Sequence, residues 1–380
     1  MSFSAQHVVP APRTDVWAWH TRPGALTRLN APFAFMTPVQ QAQSLGDGTS
    51  ILRLPGGLQW KAQHVLSRYQ EGYSFSDECV NSPLRQLTQW RHTHTFAEDP
   101  AGTRVTDEVD TRVPSAALKS VFAYRQYQLI EDFAFFKRLR DAGLNTRPLT
   151  IAMTGSRGSV GTALTAQLRT AGHTVIQLVR GKAGSGQRHW NTNLPDPHLL
   201  DGVDVLVHLA GEPIFGRFNE EHKAAIRDSR VGPTRSLARI AGETPSVKAM
   251  VCASAIGFYG ANRGEEVLTE DSEPGEGFLA DVVRQWEDAC EPARAAGTRV
   301  VNIRTGIAMS GGSGLLPLLR ALFSTGLGGP FGDGKFWFSW VAIDDLTDAY
   351  FRAIVDDSLS GPVNAASPNP CLLYTSLMAR

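Results

Sequence analysis

The strongest constraint on this chain is a glycine-rich turn framed by two apolar strands. Leu149–Met153 reads as a short strand. Thr154-Gly155-Ser156-Arg157-Gly158-Ser159-Val160-Gly161 follows it, then a helical run, LTAQLRTA, that stops at Gly172, then a second strand over His173–Val179. Strand, turn, helix and strand in this order predict a parallel sheet with helices on both faces. Gly155 permits the tight reversal, Gly158 lets a pyrophosphate approach the backbone, and Gly161 allows close packing of helix on strand. The start of the helix then offers unpaired N–H groups and a favourable dipole to phosphates. Three glycines alone are a common turn pattern; between strands at this spacing they point to a dinucleotide. Its expected contacts are Gly155, Ser156, Arg157, Gly158, Val160 and Gly161.

An absence indicates which dinucleotide. An acidic residue about 20 positions past the glycines usually accepts hydrogen bonds from the adenosine ribose of NAD, whereas a 2′-phosphate calls for Arg. No Asp or Glu stands between Thr162 and Pro195. Arg180 closes the second strand instead, Lys182 and Arg188 follow, and Arg157 sits in the turn. A guanidinium at Arg180 can pair with the 2′-phosphate through two parallel hydrogen bonds. NADP is therefore expected over NAD; the competing reading is a set of cations that merely solvate a loop.

A chain of 380 residues exceeds what one hydrophobic core usually serves, so two or three domains are expected. Residues 1–145 read as strand material closed by one long helix. The candidates are strands at Phe3–Val9, Ser50–Leu54, Leu58–Arg68, Tyr73–Val80, Gln86–Phe96 and Arg104–Val113, and a helical stretch near Asp15–His20. GDG, PGG and AEDPAG turn clusters separate several of the strands and favour antiparallel hairpins. From Ser115 to Asp141, Leu118, Phe122, Leu129, Ile130, Phe133, Phe136 and Leu139 fall on one helical face, and that face needs a sheet to cover it. The apolar surfaces enclose either a ligand cavity or simply a packed core. Residues 142–149 serve as the linker.

Composition narrows the function classes. Lys plus Arg and Asp plus Glu are each 37, so no global positive field favours nucleic acid. Apolar residues are 42%, but no run reaches the roughly 18 apolar residues of a membrane span. Cys79, Cys252, Cys290 and Cys371 form no C-x-x-C pair, which argues against a disulfide framework or a structural zinc site. The N-terminus lacks the pattern of a signal peptide, and a cytoplasmic protein is expected. His92 and His94 share one face of a strand, but no third ligand at suitable spacing appears nearby; a solvated or packed pair is the reading, and no metal is assigned.

Two resemblances add to this. VVPAPRTDVWAW, RHTHTF and GTRVTDEVD resemble the START-like, polyketide-cyclase-like superfamily, which implies an α+β helix-grip domain with a cavity for a lipid-like or aromatic ligand. The glycine turn, VDVLVHLAG, CASAIGFYG at 252–260, NIRTGIAMSG from Asn302 and FSWVAIDDLTDAY from Phe338 resemble the extended short-chain dehydrogenase/reductases. HLAGEP, HKAAIRDSRVGPTRSL, LGGPFGDGKFWFSWVAIDDL and GPVNAASPNP are similar to its epimerase-family branch, often labelled nucleoside-diphosphate-sugar epimerase or cell-division-inhibitor-like. The implied architecture is an α/β Rossmann-like doubly wound parallel sheet over 149–370, preceded by the helix-grip domain over 1–145. After GPVNAASPNP that branch normally continues, whereas residues 371–380 read as an abrupt replacement or a truncated reading frame, an atypical tail.

The resemblance also carries roles onto particular residues. Typical members use a Ser to bind the reacting oxygen and a Tyr, with Lys four residues on, as acid/base. Ser254 matches the serine, but Phe278-Leu-Ala-Asp281-Val282 stands where Tyr-x-x-x-Lys belongs. Tyr259 is a substitute acid or a packed ring; Asp281 and Glu276 are substitute acids or solvated carboxylates. Leu209, Ala210, Gly211, Arg230, Arg304 and Thr305 are implied on the cofactor side. Trp286, Trp337 and Trp340 wall a pocket or fill a core. The function implied is an NADP-dependent oxidoreductase or epimerase on a small carbonyl or hydroxyl substrate, fused to an apolar-ligand-binding domain. The alternative is a redox-inactive NADP-binding regulatory protein.

Overall fold

The computed structural model describes residues 2–144, 147–326, 329 and 337–372. The chain divides into two compact units, residues 1–144 with 166–172, and 145–165 with 173–380.

In the first unit the strands are β1 (Ser2–Val9), β2 (Thr37–Gln40), β3 (Thr49–Arg53), β4 (Gln59–His64), β5 (Ser74–Cys79), β6 (Arg91–Asp99) and β7 (Gly102–Asp110). They form one antiparallel sheet in the order β1-β7-β6-β5-β4-β3-β2. The helices are α1 (Arg13–Thr21), α2 (Ala25–Arg28), α3 (Leu84–Thr88) and α4 (Ser115–Asp141). The expected periodicity is realised in α4: Leu129 and Phe133 pack with Phe96 and Val105 of the sheet, and Phe122 meets Phe3 and His92. Trp17 of α1 stands edge-on to Phe75 and Phe96. A buried ion pair, Arg28 with Asp132, ties α2 to α4, and Gln128 donates to the same carboxylate at 3.0 Å.

Two strand expectations shift. Within the run expected as Gln86–Phe96, Thr88 Oγ1 donates back to the Leu84 carbonyl and Gln89 takes a left-handed φ of 47°. Residues 84–88 therefore close a helical turn before β6 begins. The strand expected over Leu58–Arg68 ends at His64 and passes into a 3-10 turn at Leu66–Arg68.

In the second unit the sheet strands are β8 (Thr150–Thr154), β9 (Thr174–Val179), β10 (Gln187–His189), β11 (Val205–His208), β12 (Ala249–Ala255), β13 (Arg299–Thr305) and β18 (Gly361–Ala365). Their order is β10-β9-β8-β11-β12-β13-β18, every pair parallel. The helices are α5 (Ser159–Thr170), whose residues from Ala166 onward are grouped with the first unit, α6 (Glu220–Asp228), α7 (Val231–Glu243), α8 (Phe278–Asp288), α9 (Glu291–Ala295), α10 (Leu315–Ser324) and α11 (Ile343–Val355). A smaller sheet joins β14 (Ile307–Ser310), β15 (Ser313–Gly314) and β17 (Trp340–Ala342); β16 is Trp337–Phe338.

The strands are near-continuous apolar runs because helices cover the sheet. Leu237 and Ala241 of α7, Trp286 of α8, Cys290 at the start of α9 and Ala293 within it pack with Leu206, Met250 and Val300. Each fully buried Leu contributes about 1.5–3 kcal/mol. Strand order reverses between β8 and β11, and such a reversal opens a crevice at the carboxyl ends of the strands. Cys79, Cys252 and Cys290 are free thiols. Among the described residues no helix is long and apolar enough to cross a membrane. Residues 373–380, most of the segment read as atypical, lie outside the described residues.

Candidate active site at the carboxyl edge of the parallel sheet

The glycine turn lies at the strand-order reversal. Gly155 has φ of +66°, and a Cβ there would come within 2.7 Å of the Leu209 carbonyl carbon and 2.9 Å of the Ala210 nitrogen. No side chain fits between the exits of β8 and β11. At Gly161 a Cβ would strike the Gly155 carbonyl oxygen and approach Ser156 Cα at 2.7 Å. The crowding there comes from the turn's own backbone rather than from a strand. Gly158 is exposed, and its Cβ would meet only the Gly155 carbonyl oxygen, at 3.3 Å. Ser156 is buried, Val160 is half-buried and Arg157 is exposed.

A buried hydroxyl aligns the two strand exits. Thr154 Oγ1 accepts from the Leu209 N–H (3.1 Å) and the Ala210 N–H (3.2 Å), so its own proton goes to His208 Nδ1 at 2.7 Å. His208 is then the Nε2–H tautomer and donates to Thr234 Oγ1 at 3.0 Å, which also accepts the Trp286 indole N–H at 3.0 Å. Burial, and secondarily Arg230, pushes the His208 pKa down to about 4. The ring stays neutral at physiological pH. Trp286 thus closes this chain from the core side.

The expected cofactor-side cations divide into two groups. Arg230 is buried and donates to the carbonyls of Ile226 (3.0 Å) and Glu212 (2.9 Å), and its Cζ would lie 3.0 Å from a Cβ at Gly211. It shapes the 209–212 loop. Arg188 is likewise occupied by the carbonyls of Leu199 and Asp201. Arg180, at the end of β9, is exposed.

Ser254, at the carboxyl end of β12, is 4% exposed and donates to Glu287 Oε1 at 2.5 Å. Arg304 grips Glu287 with two hydrogen bonds of 2.9 Å, from Nε to Oε1 and from Nη2 to Oε2. Its Nη1 donates to Tyr259 Oη (3.0 Å) and to the Glu270 carbonyl (3.1 Å), and its Cζ lies 3.5 Å from the centre of the Phe258 ring. Tyr259 in turn donates to Asn364 Oδ1 at 2.6 Å. Burial acts to lower the Arg304 pKa, but the bonds to Glu287 and Tyr259 outweigh it and raise it. Arg304, expected toward the cofactor, is a positioning group in this network. The Tyr259 phenol spends its proton on Asn364. Thr305 Oγ1 bonds the Ile303 carbonyl.

Residues 151–366 match the NAD dependent epimerase/dehydratase family. The chain belongs to that family. Nearly its whole length is similar to the nucleoside-diphosphate sugar epimerase of Corynebacterium glutamicum: 53% identity, TM-score 0.92, covering 98% of this chain and 80% of that one. An epimerase family protein of Mycobacterium bovis is 42% identical over 224 residues, 58% of this chain and 74% of that protein. Human epimerase family protein SDR39U1, solved with NADPH, is 31% identical with a TM-score of 0.53 over 58% of this chain and 75% of its own.

Against that family background, Phe278 opens α8 and Val282 is buried in it, so neither supplies a proton. Asp281 is exposed and pairs with Arg284 at 2.8 Å; Glu276 is exposed. Sequence reasoning missed Glu287, although a signal existed: a carboxylate falls on the helix face of Val283, Trp286 and Cys290. A histidine ending the apolar strand VDVLVH was a similar sign.

The first unit holds a partly open cavity of about 490 Å³ lined by Leu29, Phe33, Leu52, Trp60, Phe75 and Phe122 among others, with His20, His64, Asp77, His92, His94 and Arg125 as polar wall. The pair His92 and His94, expected without a third ligand, gains one across the sheet, because the β5–β6 register sets Asp77 opposite His92. Asp107 Oδ1 accepts from His92 Nε2 and His94 Nδ1, both at 2.9 Å. Burial acts to raise the Asp107 pKa, but the bonds from His92 and His94 override it and hold the carboxyl well below its usual range.

Proposed function

We propose that this epimerase-family protein binds NADP(H) at the β8–α5 turn and acts as an oxidoreductase or epimerase on a small hydroxyl or carbonyl substrate. The observation that carries the reading is the pair of positions, Gly155 and Gly161, where a Cβ would meet backbone at the strand-order reversal. Gly155, Ser156, Gly158 and the start of α5 would hold the pyrophosphate, Leu209–Gly211 the adenine side, and Arg157 and Arg180 the 2′-phosphate. The NADPH in the human relative supports the choice of NADP. When bound, the nicotinamide supplies or takes up a hydride.

Ser254 is the orienting group. Its proton is given to Glu287, so Oγ presents lone pairs and accepts from a substrate hydroxyl. A proton leaving that hydroxyl passes to Ser254 Oγ as the serine's own proton moves to Glu287 Oε1. This pair stands in for the missing Tyr-x-x-x-Lys. The first unit, which resembles START-like domains, holds an apolar ligand in its cavity.

A second reading is favoured by one observation: three hydrogen bonds from Ser254 and Arg304 already engage Glu287, as suits a redox-inactive NADP-binding protein. Two measurements separate the readings. Titration with NADPH and NADH should show NADPH preferred, and Arg180→Ala should weaken it by about 1.5–3 kcal/mol. Turnover over a panel of alcohols and carbonyls, abolished by Ser254→Ala, supports the enzyme. NADPH binding without turnover on any member supports the second reading, and failure of both nucleotides to bind sinks both.

A further inference from the structure

We propose that Asp77, His92 and His94 form a divalent transition-metal site in the wall of the first unit's cavity, with one coordination position open to that cavity. The inference is independent of the dinucleotide reading, since no residue of the parallel-sheet unit enters it.

The hydrogen bonds decide which ring atoms are available. An ionised carboxylate only accepts, so His92 donates Nε2–H and His94 donates Nδ1–H to Asp107. In neutral rings the remaining nitrogens, Nδ1 of His92 and Nε2 of His94, then carry lone pairs. His92 Nδ1 lies 3.6 Å from Asp77 Oδ2, while Asp77 Oδ1 is engaged by the Trp90 indole N–H at 3.3 Å. Two acceptors thus face each other across a gap, an arrangement that a cation between them relieves. Donor atoms about 2.0–2.2 Å from one ion stand at such a spacing, and Asp77, His92 and His94 offer ligand atoms all within 4.8 Å of one another.

The surroundings are those of a built site. Metal-ligating histidines commonly pass their other N–H to a carboxylate, which fixes tautomer and ring orientation; here Asp107 serves both rings. Packing fixes the ring planes as well. His94 stacks on Phe75 at 4.2 Å and His92 is edge-on to Phe122 at 5.2 Å. Two imidazoles and one carboxylate suit Zn²⁺ or Fe²⁺ rather than Mg²⁺ or Ca²⁺. Three protein ligands leave a position for an exogenous oxygen, and the apolar lining of the cavity indicates a hydrophobic molecule bearing a hydroxyl, carbonyl or carboxylate.

The test uses the full chain, stripped with a chelator and titrated with Co²⁺ in the visible d–d region, then with Zn²⁺. The expected result is one equivalent of Co²⁺ per chain, bleached by Zn²⁺, with a rise in Tm that grows with metal concentration. Asp77→Asn keeps an acceptor for Trp90 and should weaken binding at least a hundredfold; Asp107→Asn should cost about 10–100-fold. Circular dichroism verifies that each variant is folded, and the wild-type Tm shift tests the site without any variant. The proposal is overturned if wild type shows neither the spectrum nor the Tm shift. It is equally overturned if folded Asp77→Asn binds as wild type does, which would implicate exposed histidines such as His189 and His198.

Discussion

Alanine placed at each glycine of the turn separates scaffold from ligand contact. At Gly155 the left-handed φ costs roughly 1–2 kcal/mol for a residue with a Cβ, and overpacking against Leu209 and Ala210 adds about 1–3 kcal/mol. Gly155→Ala should therefore lose about 2–5 kcal/mol. Gly161 has no left-handed φ, so Gly161→Ala carries only the overpacking, about 1–3 kcal/mol. At Gly158 the new methyl meets one carbonyl oxygen at 3.3 Å, and Gly158→Ala should stay within about 1 kcal/mol of wild type. Its methyl nevertheless stands where the pyrophosphate is proposed to pass. NADPH binding should weaken at least tenfold, about 1.4 kcal/mol. Urea denaturation reads the stabilities and nicotinamide fluorescence the affinities. A folded Gly158→Ala that binds NADPH like wild type would refute the phosphate path, and a Gly155→Ala of unchanged stability would refute the crowding argument.

Further outcomes follow from the buried networks. Glu287→Ala leaves the Arg304 guanidinium, 4% exposed, without its carboxylate counter-charge and should cost about 3–5 kcal/mol. Adding Arg304→Met should recover part of that loss in a double-mutant cycle; strict additivity would show that the pair is not coupled. His20 and His208 are held neutral by burial, each with its pKa lowered from 6.5 to about 4. Below pH 6.5 the unfolded chain takes up protons that the folded chain does not, so stability falls with pH, by about 2 kcal/mol per histidine from pH 7 to pH 5. Urea midpoints at the two pH values check this, and His208→Gln should flatten the slope. Trp286→Phe removes one buried hydrogen bond to Thr234 and should cost about 0.5–1.5 kcal/mol, readable by thermal denaturation.

What was legible in the sequence was local. The turn between Leu149 and Val179 declares itself because every residue it needs lies within one βαβ unit. The helix over Ser115–Asp141 shows because its period repeats for seven turns. The polar partners that escaped notice meet only through tertiary pairing. Asp77 reaches His92 by the register of a hairpin, 15 positions apart in sequence. Glu287 meets Ser254 across a helix–strand packing, and Asn364 reaches Tyr259 from the far end of the chain. Spacing rules search short windows, and none of these pairs falls within one. Arg230 and Arg304 were expected on the cofactor side, but residue type alone does not reveal that a cation's donors are already committed to carbonyls or to a carboxylate.

Thr154 has a consequence for mutational scanning. One hydroxyl serves two backbone N–H groups and an imidazole, so its isostere Val, which matches it in volume, would strand three polar atoms at once. A saturation library selected for cofactor binding would score position 154 as intolerant as any true contact, and a map drawn from such scores would enlarge the binding site inward. Measuring abundance and affinity separately for each variant would return Thr154 to the scaffold.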